Sequence, residues 1–250
     1  MPPVDVSLVR SSSNILLRRL TQADQLLLEP FTERISLARG STLVHADGDL
    51  DAIYFPESVI VSLHERIGST GRVEVAVIGR EGMVGWPALL GSARTTHGAI
   101  VQLRSGVSLR MATDPLRQAC SRSPSLGQAL LRFVHVVIVQ MARSIASHLH
   151  DALDLRLARW LLMRHDRLGG DVMFVHHDEI AGNLNVRRAS ITDRLHLLEG
   201  DRLIRCNRGK ILIRDRSRLE DFAGEAYGAP ECQYRELIAP FGKTFAINSG

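Results

Sequence analysis

The sequence predicts an α+β protein: a β-rich N-terminal sandwich or jelly roll, one long helix and a C-terminal winged helix-turn-helix. Three observations carry that prediction. Short β runs punctuated by glycine fill the stretch after Gly40, and apolar residues recur at three- and four-residue steps from about Ser125 to His150. A pair of short helices and a hairpin then occupy the most basic segment of the chain. The boundaries follow as 14–122 for the β-domain, 123–150 for the long helix, 151–227 for the winged module and 228–250 for a tail without a readable motif. With 45% apolar and 23% charged residues, the composition is globular and excludes disorder, collagen-like repeats and a disulfide scaffold.

Leucines at helical spacing mark Asn14–Leu20 and Thr21–Phe31, with Thr21 placed to cap the second segment. The period then changes. Val73, Val75 and Val77 alternate along one run, and Ala52–Phe55 and Val59–Leu63 are rich in β-formers. Glycines at 40, 48, 68, 71, 79, 82, 91, 98 and 106 supply turns at intervals typical of a sandwich, jelly roll or barrel, closing near Met111. Leu126, Leu130, Phe133, Val137, Met141 and Ile145 then describe a helix of some 25 residues, about 37 Å long at 1.5 Å per residue. Leu130–Ala142 is apolar on more than one face, so a second surface must cover it; the same helix of a second subunit is the economical choice. A further amphipathic helix, Asp151–Arg164, ends at Gly169–Gly170.

The next forty residues carry the chemistry. Asp178–Leu184 is a short helix with Ile180, Ala181 and Leu184 on one face, and Asn185 suits a left-handed turn residue. Arg187–Leu198 follows as a second helix whose core face is Ile191, Leu195 and Leu198. That spacing is a helix-turn-helix, and the exposed end of its second helix presents Arg187, Arg188, Ser190 and Thr192, with Arg194 one turn on. Guanidinium forks match guanine O6 and N7, and hydroxyls serve bases or phosphates. Leu203–Cys206 and Lys210–Ile213 bracket Asn207-Arg208-Gly209 as a hairpin, a wing whose Arg205, Arg208 and Lys210 would hold the phosphate backbone. Between Val186 and Arg218 ten basic residues stand against four acidic ones, while the whole chain carries only +4. Charge alone fits either a polyanion met by this one region or a solvated face in an arginine-rich chain, whose only lysines are Lys210 and Lys243; the helix-turn-helix and wing favour the polyanion. His176-His177-Asp178-Glu179 reads as a helix start capped by Asp178 or His177 rather than a metal cluster.

No apolar run approaches the ~20 residues of a membrane helix, because His135 and Gln140 break the best candidate, Phe133–Ala142. Met1–Asp5 has no signal-peptide pattern, and Cys120, Cys206 and Cys232 lie far apart, as reduced thiols do. A cytoplasmic protein with no membrane partner is expected. No nucleophile elbow, HExxH or zinc spacing is present, so no enzyme and no metal site are expected.

This order of elements resembles the Crp/Fnr (cyclic-AMP receptor / fumarate-nitrate regulator) superfamily over roughly Asn14–Tyr227. Its most specific stretches are Arg159-Trp160-Leu161-Leu162, Asp178-Glu179-Ile180-Ala181 and Val186–Thr192, and Val77–Gly85 looks like one branch of the superfamily. The resemblance implies a homodimeric regulator of transcription on a two-fold operator with half-sites about 34 Å apart. It also implies RNA polymerase as a partner and a signal met by a cyclic-nucleotide-binding-like β-domain. The effector, a small molecule of unidentified chemistry, would lie near Glu81, Gly82, Gly85, Arg94, Thr95 and Thr96.

Departures narrow the expectation. The family's phosphate-loop carboxylate and arginine are replaced here by Gly85-Trp86-Pro87-Ala88-Leu89 and Thr95-Thr96-His97-Gly98-Ala99, so a cyclic mononucleotide is not expected. Three cysteines, none near the N-terminus, exclude the family's four-cysteine iron–sulfur cluster. Haem held by Pro2 and one of His45, His64 or His97 is not expected either, since nothing singles out a histidine. Arg188 keeps the first base-reading position of the family, but Ala189 and Asp193 fill the other two, which predicts an unusual operator. The alternative function is a ligand-binding module acting through protein contacts, without sequence-specific DNA binding.

Overall fold

The computed structural model describes residues 7–68 and 71–243. Pro2, the one terminal residue raised as a haem ligand, lies outside the described residues. The chain opens with α1 (Ile15–Arg18) and α2 (Gln22–Leu28). Asn14 caps α1: its Oδ1 accepts from Leu17 N, and its amide donates to the carbonyls of Pro56 and Gly82 at 2.8 and 2.9 Å. Thr21 caps α2 as expected, its hydroxyl oxygen accepting from Asp24 N.

The β-rich stretch comprises β1 (Glu33–Leu37), β2 (Thr42–Val44), β3 (Ala52–Pro56), β4 (Ile60–Ile67), β5 (Gly71–Ile78), β6 (Gly98–Gln102) and β7 (Gly106–Ala112). They form two sheets, β1-β7-β3 and β2-β6-β4-β5. In the first, Phe55 faces Leu109 and Glu33 faces Arg110, whose guanidinium bonds the carboxylate at 2.6 Å. The segment Gly79–Gly85 is a turn, with Gly82 N bonded to Gly79 O, as its glycines predict.

After α3 (Thr113–Arg122) comes α4 (Pro124–His150), the long helix predicted from the apolar spacing. Its window of mean hydropathy 1.5 is long and apolar enough, by length and composition, to cross a membrane, which corrects the expectation that no such run exists. His135 and Gln140 interrupt the run in sequence without lowering the average below that level, because valine, isoleucine and leucine surround them. Within this fold Leu126, Leu130, Phe133 and Val137 of α4 are buried, as in a helix packed on a protein core.

The remaining elements are α5 (Leu153–His165), β8 (Val172–Phe174), α6 (His177–Leu184), α7 (Arg188–Gly200), β9 (Ile204–Asn207), β10 (Lys210–Ile213), α8 (Arg216–Ala223) and α9 (Ala229–Leu237). β8-β10-β9 form an antiparallel sheet. α9 stands in the stretch that sequence left unread; its Tyr234 is fully buried and tilts against Phe241 at 5.0 Å between ring centres.

The chain forms two compact units. The first takes residues up to Val61, Ile78–His135 and Glu236–Ala239; the second takes Ser62–Val77, Val136–Arg235 and the residues from Pro240 on. In the first unit a Cβ on Gly82 would lie 2.0 Å from the Phe133 ring, so only glycine lets the turn approach α4. In the second, the hairpin arms of β4 and β5 share a unit with the winged module. Gln140 of α4 accepts from Val77 N at 2.6 Å there.

Candidate nucleic-acid interface

The interface is built from α6, α7 and the β9–β10 wing. Ile180, Ala181 and Leu184 of α6 and Ile191, Leu195 and Leu198 of α7 are all buried, the two faces predicted from spacing. The turn works as expected: Asn185 caps α6 at φ 52°, ψ 54°, and Val186 N returns to Ala181 O at 3.0 Å. The start of α6 does not. Neither Asp178 nor His177 caps it; the cap position is His176, whose side chain makes no capping bond. His177 instead turns across the motif, its Nδ1 lying 2.9 Å from the Thr192 hydroxyl of α7. Burial, with Arg188 and His196 beside it, lowers the pKa of this histidine.

The predicted site residues divide by what they are free to do. Arg187 occupies the cap of α7 and Arg188 its first position, both exposed. Arg188 Nε sits 3.5 Å from Asp178, a solvent-screened pair. Arg194 is exposed one turn on, and Ser190 is half-buried. Thr192 has its hydroxyl engaged by His177 and 3.3 Å from Arg188 O, so it supports the helix as well as facing outward. On the wing, Arg205, Arg208 and Lys210 are all exposed. Arg208 and Gly209 form the turn, with Gly209 at φ +70° and Asn207 paired to Lys210. Lys210 Nζ stands 5.2 Å over the Phe174 ring. A bond that sequence did not reveal joins the end of α7 to the wing: Glu199 accepts from Cys206 N at 2.8 Å. Burial and that carboxylate push the Cys206 thiol up to about 11.

The six residues expected near an effector are placed as follows. Glu81 is buried within its own turn, accepting from Gly79 N at 3.0 Å; Gly82 meets Phe133, and Gly85 lies against Ile53 at φ +94°. Arg94 is exposed, bonded to the Asp47 carbonyl and 3.4 Å from Asp49. Thr95 is buried and bonded to the His97 backbone, and Thr96 is exposed. Among the described residues, cavities of about 290 and 330 Å³ in the first unit are lined by Asp49, Asp51 and Arg117, and by Leu89, Cys120 and Leu131; none of the six expected residues lines either. No group of three or more His, Cys, Asp or Glu side chains placed to hold a metal occurs among the described residues.

Residues 155–222 match the family model of the Crp-like helix-turn-helix domain. That stretch, α5 through most of α8, is therefore a Crp-like helix-turn-helix domain. Solved structures agree at the level of fold. A Crp-family transcriptional regulator from Thermus thermophilus is 22% identical with a TM-score of 0.62, over 78% of this chain and 99% of that one. FixK2 of Bradyrhizobium japonicum is 13% identical with a TM-score of 0.65, over 78% and 99%. The c-di-GMP responsive global regulator CLP of Xanthomonas campestris is 13% identical with a TM-score of 0.62, over 77% and 99%. No curated protein matches the chain by sequence. The predicted fold class holds: the fold is that of solved Crp/Fnr-family regulators, and residues 155–222 form a Crp-like helix-turn-helix domain.

Proposed function

We propose that the protein binds a two-fold symmetric DNA operator as a homodimer, under control of a signal met by its N-terminal β-domain. One observation carries the reading: the start of α7 presents Arg187, Arg188 and Arg194 to solvent while its opposite face is fully buried. A helix held rigidly on one side, with guanidinium groups on the other, is the arrangement that reads the major groove. Arg188 would reach a base edge, joined by Arg187, Ser190 and Thr192 at bases or adjacent phosphates. Arg194, Arg205, Arg208 and Lys210 would neutralise phosphates.

The dimer reading rests on α4. Leu131, Ile138 and Ile145 recur every seven residues, and they and Leu149 are 44%, 50%, 60% and 74% exposed. A heptad of exposed apolar residues on a long helix is a seam awaiting its copy. RNA polymerase as the downstream partner, a cytoplasmic location and the absence of catalysis follow the superfamily. The effector, if a small molecule, is of unidentified chemistry; the departures at Gly85–Leu89 and Thr95–Ala99 argue against a cyclic mononucleotide. Sedimentation of the protein with a labelled operator duplex tests the assembly. Two chains per duplex are expected, and Ile138→Glu should abolish that stoichiometry; one chain per duplex with full sequence preference would overturn the dimer.

A further inference from the structure

The second unit contains a buried polar cluster apart from the exposed arginines of α7 and the wing. Ser62 and His64 come from β4, Glu74 from β5, Arg164 from α5 and Asn183 from α6. Arg164 is wholly buried, lies 3.6 Å over the Trp160 ring and is ion-paired to Glu74. The Ser62 hydroxyl donates to the same carboxylate. His64, 4% exposed, places Nε2 at 3.2 Å from both Ser62 Oγ and Asn183 Oδ1, while its Nδ1 has no hydrogen-bond partner among the described residues. Asn183 is 1% exposed and sits two residues before the turn into the reading helix.

We infer that this cluster is a proton-sensitive lock: neutral His64 fastens the β4–β5 hairpin to the first helix of the DNA-reading motif, and protonation releases it. The bonding pattern gives the reason. Ser62 spends its proton on Glu74, so both atoms facing Nε2 are acceptors, and a neutral ring protonated at Nε2 satisfies them. A second proton would go on Nδ1, where no acceptor waits, and would place a second cation beside buried Arg164. Burial accordingly lowers the His64 pKa, against the pull of Glu74 and the Asn183 bond; Arg72 of β5 and Arg164 of α5 push the same way as burial. Glu74 also faces His148 and Arg159, from α4 and α5, so His64 is not the only titrating group near this carboxylate. The sign follows from linkage. A histidine whose pKa is depressed when docked favours docking above its free value of about 6.5, and docking weakens by up to about tenfold per pH unit below it. Since Asn183 lies on the helix that supports α7, release should loosen the reading helix.

The inference rests on the DNA-binding reading for its consequence but not for its mechanism, so the two are measured separately. Amide hydrogen exchange of β4 and β5 in the free, full-length protein is compared at pH 7.5 and 5.5, corrected for the intrinsic pH trend. Wild type should open about tenfold more readily at pH 5.5, the factor a unit of differential protonation represents. His64→Gln keeps a donor at the Nε2 position but cannot titrate, and its opening should be the same at both pH values. Equal pH dependence in both proteins would overturn the lock and implicate another group, with His148 next to be tested. If the glutamine variant does not fold, Asn183→Ala serves instead: it keeps His64 and should already show fast hairpin exchange at pH 7.5, and wild-type protection there would contradict the inference. Affinity for the selected operator, measured in parallel, should fall on acidification more in wild type than in His64→Gln. An equal fall, or a rise, would remove the lock's link to DNA reading while leaving the exchange result standing.

Discussion

The Nδ1 of His177 lies 2.9 Å from the hydroxyl of Thr192, so the two helices of the motif are bonded to each other across their turn. Apolar packing fixes how close the helices come; this bond fixes their rotation, and with it the direction in which Arg188 points. Thr192→Val keeps the shape and removes the bond. It should cost about 0.5–1.5 kcal/mol of stability, the net worth of an ordinary hydrogen bond, read as a shift in the urea midpoint. Operator affinity should fall further than the stability loss alone accounts for. The His177 pKa is depressed by burial, so its contribution is present above about 6.5 and is lost as pH falls below that value. His177→Gln, which cannot titrate, should flatten this dependence between pH 7.5 and 5.5, whereas the valine variant leaves the causes of the shift in place and should keep it.

Base reading and phosphate binding separate by mutation. Arg188→Ala should cost about 1–3 kcal/mol on the specific operator and relax preference at one base pair. Lys210→Ala should weaken all sequences alike and lower the salt slope by about one unit. Competition with randomised duplexes distinguishes the two, and uniform loss in both variants would sink the division of roles.

The Arg164–Glu74 pair predicts an asymmetric cycle. Glu74→Gln alone strands a buried guanidinium and should destabilise the second unit by about 3–5 kcal/mol. Replacing both, Glu74→Gln with Arg164→Met, should recover most of that loss, because no charge is then left unpaired. Burial raises the Glu74 pKa, but Arg164 outweighs it and holds the carboxyl below its usual value. Its stabilising effect is therefore present above the usual range near 4.5 and lost as pH falls below it. Thermal melts of the single and double variants from pH 3 to 7 check both statements.

Gly82 should be intolerant of any side chain. A Cβ there meets the Phe133 ring at 2.0 Å in a closed core, so Gly82→Ala should cost about 1–3 kcal/mol through overpacking. Phe133→Leu in the same chain should recover part of it, which chemical denaturation can read.

What could be read from sequence was what short-range periodicity encodes. The spacing of Ile191, Leu195 and Leu198 placed the reading helix, Asn185 placed its turn, and Asn207-Arg208-Gly209 placed the wing, all within two residues of where they stand. Long-range partners left no such trace. Nothing in the order of residues says that His64 reaches Asn183 or that Glu74 pairs with Arg164, because those contacts depend on where the β4–β5 hairpin packs. α9 went unread since Pro230, Glu231 and Tyr234, its buried residues, show too little apolar periodicity to suggest a packed helix. Position in the chain likewise does not reveal that the Glu81 carboxylate turns back to accept from Gly79 N.

The central claim is sequence-specific DNA binding by a dimer, and selection from random duplex DNA tests it most directly. The purified protein, without added effector, is used to enrich duplexes, and affinity for the winner is measured at several salt concentrations. A two-fold symmetric consensus, with affinity falling steeply as salt rises, is the predicted result. Enrichment of no sequence, repeated when cell extract supplies any missing signal, would contradict it and leave the winged module as a surface for protein contacts.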